Sequence, residues 1–117
     1  MKKIRAHLVG IDQGEVVLFN DFVNDGVMWV GEGDRELRRE VKFSESFAEA
    51  PSVSAWISLW DISNGSNARA DISAEDIHAD GFTLVFNTWS DTKIARLRVA
   101  WRAIGACRGD SDEYWDV

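Results

Sequence analysis

The sequence is short of several features that define large classes of proteins. Cys107 is the only cysteine among the 117 residues, which excludes an intramolecular disulfide framework and a multi-cysteine metal site. No run of about 18 apolar residues occurs, so no transmembrane helix is expected. The basic start at Met1 to Arg5 is followed by no apolar stretch, so no secretion signal is predicted. We therefore expect a cytoplasmic protein, with release or association with an extracellular particle as the alternative.

Positive charge is also scarce. The chain has 13 Lys and Arg against 20 Asp and Glu, a net charge of −7. Surfaces that bind nucleic acid or anionic lipid need local positive potential, so neither a nucleic-acid partner nor membrane insertion is predicted. At about 100–200 residues per domain, residues 1–117 are expected to form a single domain. Its acidic C-terminal tail, 106–117, is expected to be mobile.

The groups that usually carry catalysis do not form a recognisable set. His7 and His78 are isolated in the sequence, and Cys107 has no obvious histidine partner. Gly31 and Gly33 lack the rest of a phosphate-binding fingerprint. An acidic cluster has no spacing typical of a calcium loop and comprises Asp71, Glu75, Asp76 and Asp80. We therefore predict no enzymatic activity, no cofactor and no metal.

What the chain does contain is a series of alternating apolar and polar segments. A period of two residues is typical of β-strands with one buried face. Turn residues separate the segments at short intervals, and Asp25-Gly26 is a hairpin signal. The pattern predicts an antiparallel sandwich whose strands lie near 14–22, 35–47, 51–61, 68–73, 82–89 and 93–104. A loop is expected through Glu75, Asp76 and Asp80.

The segment 93–104 has the clearest alternation. Leu97, Val99 and Trp101 share one face, which is expected to point into the core. The other face carries Arg96, Arg98 and Arg102, and it is expected to face water or another protomer.

Six tryptophans are many for a chain of this length. A tryptophan can stack its flat face on the C–H surface of a sugar ring. Filling the core of a small sandwich is the more common use, and we expect it for most of the six.

The segment from Arg35 to Ile104 resembles the H-type lectin domain. The resemblance rests on a set of short motifs that occur in the expected order and spacing: Arg35-Glu36-Leu37, Val41-Lys42-Phe43, Phe47, Pro51-Ser52-Val53, Leu59, Asp61, Asn67-Ala68-Arg69, Gly81-Phe82, Thr88-Trp89, Asp91-Thr92-Lys93-Ile94 and Val99-Ala100-Trp101. It implies an all-β fold, a six-stranded antiparallel β-sandwich, that assembles as a homotrimer or a dimer of trimers.

The resemblance also implies a binding site for terminal N-acetylgalactosamine or galactose near the edge of the interface between protomers. The acidic position of the family motif falls on Glu32, and Asp34 is the alternative. Arg69 takes the arginine position that hydrogen-bonds sugar hydroxyls. Trp89 takes the position of the wall beside the sugar, and Ser90 is its neighbour.

Two functions from different classes remain open at this point. The first is a non-enzymatic carbohydrate-binding lectin that gains avidity from several sites on one assembly. The second is a trimeric structural or adhesive subunit, such as the spike or fibre tip of a phage-like particle or an assembly domain, that keeps the fold without the usual sugar specificity.

Overall fold

The computed structural model describes residues 1–108 and consists mainly of β-strands. The strands are β1 (Val9–Asn20), β2 (Arg35–Lys42), β3 (Ser52–Ile62), β4 (Ala70–His78), β5 (Gly81–Thr88) and β6 (Ile94–Ala106). Two helices of one turn each, α1 (Asp21–Asn24) and α2 (Val27–Val30), connect β1 to β2. Within these residues no helix has the length and apolarity needed to cross a membrane.

The six strands form two antiparallel sheets of three strands each. The first sheet has the order β1-β6-β3 and the second the order β2-β5-β4. Each sheet turns its apolar side chains towards the other, which gives a two-layer β-sandwich. The predicted six-stranded antiparallel β-sandwich is confirmed.

The core lies between the two central strands, β5 and β6. Leu97, Val99 and Trp101 of β6 are buried, as their alternation predicts, and they face Phe82 and Phe86 of β5. The rings of Phe82 and Trp101 meet edge to face with centroids 5.4 Å apart, an arrangement that aromatic quadrupoles favour. A central strand is covered by neighbours on both edges, so its inward residues lose nearly all contact with water.

The prediction that most tryptophans fill the core is wrong for three of the five that the structure describes. Trp101 is buried, but Trp56, Trp60 and Trp89 are 43 %, 38 % and 39 % exposed. Trp56 occupies an outward position of the edge strand β3, whereas the register shift between Ile57 and Leu59 pairs Trp60 with the inward Leu97. The inward positions before this shift carry smaller apolar residues. Phenylalanines fill the space between the sheets instead. Trp115 lies outside the described residues.

The connection from β1 to β2 differs from the predicted hairpin at Asp25-Gly26. Asp25 has the left-handed conformation, with φ of 50°, and ends α1. The Gly26 amide donates to the Asp21 carbonyl at 2.9 Å, and the Asp21 carboxylate accepts the Met28 amide at 2.9 Å. The Asp-Gly pair therefore separates two helical turns, because Asp21 supplies acceptors that a two-residue hairpin would not use.

The segment after residue 73 also differs from the prediction. Glu75 and Asp76 belong to β4, which continues to His78 and pairs with β5. The register shifts between Glu75 and His78, and Asp76 has a φ of 51°. A bulge of this kind accommodates an extra residue without ending the strand. The predicted loop through Glu75 and Asp76 is therefore wrong, because acidic residues also occur on the exposed face of a strand.

The predicted C-terminal tail overlaps the sandwich at its start. Ala106 is the last residue of β6. The backbone of Cys107 forms an isolated antiparallel β-bridge with that of Phe47. The Cys107 amide donates to the Leu8 carbonyl at 3.0 Å. The remainder of that segment, 109–117, lies outside the described residues.

Candidate functional site

Three loops meet at the end of the sandwich where β2 begins and β5 ends. In the antiparallel register, Arg35 of β2 pairs with Thr88 of β5, and Ala70 of β4 pairs with the same Thr88. The loop 31–34 before β2, the turn 89–93 after β5 and the segment 63–69 before β4 therefore lie side by side.

Arg35 joins two of these loops to the helical connection. Its side chain is almost fully buried, with 7 % exposed. Nε donates to the Gly33 carbonyl at 2.9 Å, and one terminal nitrogen donates to the Ser90 carbonyl at 3.3 Å. The other terminal nitrogen lies 3.4 Å from the carbonyls of Val27 and Met28. A planar guanidinium can hold several acceptors in a fixed arrangement, so the loop, the turn and α2 form one unit.

The backbone of the turn reinforces this contact. The Gly33 amide donates to the Ser90 carbonyl at 2.8 Å. Gly33 and Ser90 have positive φ angles of 77° and 64°, which turn both peptide groups towards each other at a conformation that costs glycine little. Trp89 and Asp34, each next to one of these residues, are thereby held in a defined relative position.

The third loop is attached through Thr88, Thr92 and Asp91. The Thr88 hydroxyl donates to the Arg69 carbonyl at 2.6 Å, and the buried Thr92 hydroxyl accepts the Arg69 amide at 3.0 Å. The Asn67 side-chain amide donates to the Asp91 carboxylate at 3.0 Å. This hydrogen bond is the main reason why the pKa of Asp91 lies below its ordinary value of 3.8.

A groove of about 330 Å³ opens beside these loops, over the paired ends of β2 and β5. It is lined by Asp34, Arg35, Glu36, Asn87, Thr88 and Trp89. Asp34 is exposed, and no hydrogen bond or ion pair engages its carboxylate within the described part of the chain. The groove thus combines a carboxylate acceptor, the donor and acceptor of the Asn87 amide, and the exposed indole of Trp89. Such a lining suits a small ligand with several hydroxyls and one apolar face.

The structure brings together two of the residues predicted to bind sugar, Asp34 and Trp89, in this groove. Ser90 contributes its carbonyl to the Arg35 contact, and its hydroxyl lies 3.4 Å from the Asp91 carboxylate. Glu32 and Arg69 are exposed on the neighbouring loops and do not line the groove. Their binding roles stay predictions.

Four residues of the groove were not predicted as site residues, namely the buried Arg35 and Thr88 together with Glu36 and Asn87. Glu36 and Asn87 pair directly across β2 and β5 and point outward from the second sheet. Their position beside Trp89 follows from the register of the two strands, and the alternation within either strand alone did not indicate it.

The described residues contain no group of three or more His, Cys, Asp or Glu side chains placed to hold a metal ion. Asp71, Glu75 and Asp76, which cluster in the sequence, are spread along β4. Asp71 lies four residues before Glu75 along the strand, while the bulge lets Glu75 and Asp76 both face Arg38.

Comparisons with known proteins agree with this architecture. The family model of the H-type lectin domain matches residues 38–104, which is more than half of the chain. The chain therefore belongs to the H-type lectin domain family, and the predicted resemblance is confirmed.

Among curated proteins, the chain is 48 % identical over 109 residues to "ATP synthase subunits region ORF 7" of Fuscovulum blasticum, covering 93 % of each protein. It is 34 % identical over 74 residues to a subunit of discoidin-1 from Dictyostelium discoideum, covering 62 % of this chain and 29 % of that protein. The chain thus spans nearly the whole of the first relative and less than a third of the second.

The fold is shared with solved structures of other proteins. Discoidin II of Dictyostelium discoideum superposes with a TM-score of 0.70 at 27 % identity, covering 86 % of this chain and 38 % of that one. The tailspike protein gp49 of Pseudomonas phage LKA1 superposes with a TM-score of 0.54 at 18 % identity, covering 85 % and 15 %. The second likeness concerns the fold alone.

Replacing Arg35 by Ala is expected to destabilise the protein by about 2–4 kcal/mol, because four carbonyls, one buried and three partly buried, lose their donor. The Gly33 amide should also exchange faster with solvent. Urea denaturation and hydrogen exchange measure the two effects. The matched control is Arg38→Ala, which removes an exposed guanidinium from the same strand and should cost far less. Equal losses for the two variants would contradict the assigned role of Arg35.

Replacing Asn67 by Ala is expected to raise the pKa of Asp91 towards 3.8, because the main hydrogen bond to its carboxylate is lost. A lowered pKa in the folded state stabilises the protein above the unfolded-state pKa, and this contribution disappears as the pH falls through the folded-state pKa. The stability difference between wild type and variant should therefore shrink between about pH 7 and about pH 3. NMR titration of the Asp91 carboxyl and urea denaturation at both pH values check this, with Asn64→Ala as the control. An unchanged Asp91 pKa in the Asn67 variant would refute it.

Proposed function

We propose that the protein is a non-enzymatic lectin that takes a terminal galactose- or N-acetylgalactosamine-type sugar in the groove beside Trp89. The observation that carries the proposal is the pairing of a free carboxylate, Asp34, with an exposed indole, Trp89, in one groove of an H-type lectin domain. The likeness to the discoidins supports a lectin-type role.

The chemistry of the groove fits a sugar better than an ion or an apolar molecule. Each sugar hydroxyl both donates and accepts hydrogen bonds. The Asp34 carboxylate can accept hydrogen bonds from two hydroxyls, and the Asn87 side-chain amide supplies one donor group and one acceptor. Trp89 offers an apolar surface to the C–H face of the ring. A neutral, hydroxyl-rich ring satisfies all three groups at once.

The residues around the groove extend this assignment. Arg69 is exposed on the adjacent loop, and its backbone is fixed by Thr88 and Thr92. In the proposed complex its guanidinium donates to a hydroxyl that projects beyond the groove. Glu32 and Ser90 offer an acceptor and a hydroxyl on either side of the Gly33–Ser90 contact.

We further propose that the outer face of the first sheet holds three copies together. This face carries large exposed apolar side chains, which are Ile11 (65 % exposed), Val17, Trp56 and Ile104. Large apolar side chains exposed on one face of a sheet can mark a protein–protein interface. Arg98 lies among them, with its Nε 3.0 Å from the Glu15 carboxylate and 3.1 Å from the Ser58 hydroxyl. Burying this face in a homotrimer would place several sugar sites on one assembly and raise the avidity for dense glycans.

Asp34→Asn is expected to weaken galactose binding by about 10- to 100-fold, because a charge-assisted hydrogen bond contributes about 1.5–3 kcal/mol. Trp89→Ala should reduce binding similarly, and Arg69→Ala tests the guanidinium. Glycan arrays find the ligand, and isothermal titration calorimetry gives the affinities.

The matched control for Asp34 is Asp25→Asn. It removes the same charge from an exposed left-handed position that asparagine also tolerates. Binding by wild type that survives all three substitutions would refute the placement of the site. A folded assembly that binds no glycan would refute the lectin function and favour the structural or adhesive subunit.

Ile11→Glu and Arg98→Glu are each expected to dissociate the trimer, because each places a carboxylate on the face that the proposed interface buries. Light scattering measures the mass, and circular dichroism verifies the fold. Val23→Glu, which changes an exposed apolar residue of α1 away from the sheet, is the control. A trimer mass retained by both variants, or a monomeric wild type, would contradict the interface.

A further inference from the structure

A second groove lies at the opposite end of the same pair of strands. It has a volume of about 360 Å³, comparable to the first. The polar side chains that line it include Glu40, Lys42, His78, Asp80 and Thr83. The proposed sugar site uses none of them.

The two grooves open on the same face of the second sheet. Glu36 pairs with Asn87 at the first groove, and Glu40 pairs with Thr83 at the second. These pairs are four residues apart along each strand, and side chains an even number of residues apart point to the same face. At about 3.3 Å per residue, the grooves are separated by about 13 Å. One pyranose ring is shorter than this span, so a ligand that occupies both grooves must contain several sugar residues.

The surface between the grooves carries polar side chains, and ion pairs hold its central arginine in place. Arg38 stands at the midpoint, where it pairs with Val85 in the register. Its guanidinium contacts the Glu36 carboxylate at 3.0 Å, the Asp76 carboxylate at 3.5 Å and the Glu75 carboxylate at 4.0 Å. The side chain is 49 % exposed, so guanidinium N–H groups remain accessible to a ligand lying across the sheet. Three acceptors reduce the freedom of the arginine before any ligand binds.

The second groove offers donors and acceptors of its own. The His78 Nδ1 accepts the Asp80 amide at 3.2 Å, which leaves Nε2 free to donate. The Asp80 carboxylate accepts the Ser46 hydroxyl and thereby holds the turn between β4 and β5. Glu40 and Lys42 are exposed at the rim as an acceptor and a donor. This mixture of groups suits neutral hydroxyls rather than a ligand of one charge.

We infer that the second groove is a further saccharide subsite, and that the protein binds a linear oligosaccharide or polysaccharide along β2 and β5. The inference rests on the proposed function, since the terminal sugar occupies the groove beside Trp89. The chain of the glycan then crosses Arg38, and an inner residue reaches Glu40 and Lys42. The natural ligand is accordingly an extended glycan, and a terminal monosaccharide is only its end.

The test measures how affinity depends on the length of the glycan. Isothermal titration calorimetry uses linear β1,3- and β1,4-linked galactose oligosaccharides, from the monosaccharide to the pentasaccharide. Affinity should rise by about five- to tenfold once the chain spans both grooves, because one or two hydrogen bonds are added. The double variant Glu40→Ala/Lys42→Ala should lose this rise and keep the wild-type affinity for galactose.

A matched control variant separates the subsite from a general change of charge. Lys3→Ala/Glu49→Ala removes the same two charges from exposed positions outside both grooves, and it should keep the rise. Binding of galactose with no rise in either series would overturn the extended-glycan inference and leave the lectin function standing. A rise that persists in the Glu40/Lys42 variant would overturn the placement of the subsite. No binding of any sugar would overturn both proposals.

Discussion

The hydrogen bonds of the buried Arg35 guanidinium are the interaction on which the groove end of the sandwich depends. Loops at the end of a β-sandwich have few apolar contacts and would otherwise sample many conformations. Arg35 begins β2, so its position is fixed by the sheet, and its hydrogen bonds reach Gly33, Ser90 and α2. The pairing of β2 with β5 therefore fixes the positions of Asp34 and Trp89, although both side chains are exposed.

The two outer faces of the sandwich have different chemistry. The first sheet exposes apolar side chains together with the arginines of β6. The second sheet exposes polar side chains along β2 and β5, with Arg38 held among carboxylates. One face is suited to burial against another protomer and the other to a hydrated ligand. The proposed protomer interface and the proposed glycan surface therefore use different faces of the sandwich.

Part of the candidate site could be predicted from the sequence, and the rest could not. Trp89 occupies a motif position of the family, Asp34 was the alternative to Glu32 for the acidic position, and both lie in the groove. Glu36, Asn87 and the second groove were missed, because they come from strands far apart in the sequence. Only the pairing of β2 with β5 places them on one line. The burial of Arg35 was missed for a similar reason, since its acceptors belong to three separate segments.

The sequence by itself determined the β-sandwich and most of its core, because an alternation with a period of two residues indicates which face of each strand is buried. It also determined the inward face of β6 and the family. Tertiary structure decided which strands lie at an edge, and this is why Trp56 and Trp60 are exposed although their residue type favours burial. It also decided that Asp25-Gly26 separates two helical turns and that β4 continues through Glu75. In each case a contact distant along the chain, or a side-chain acceptor such as Asp21, outweighed the local preference.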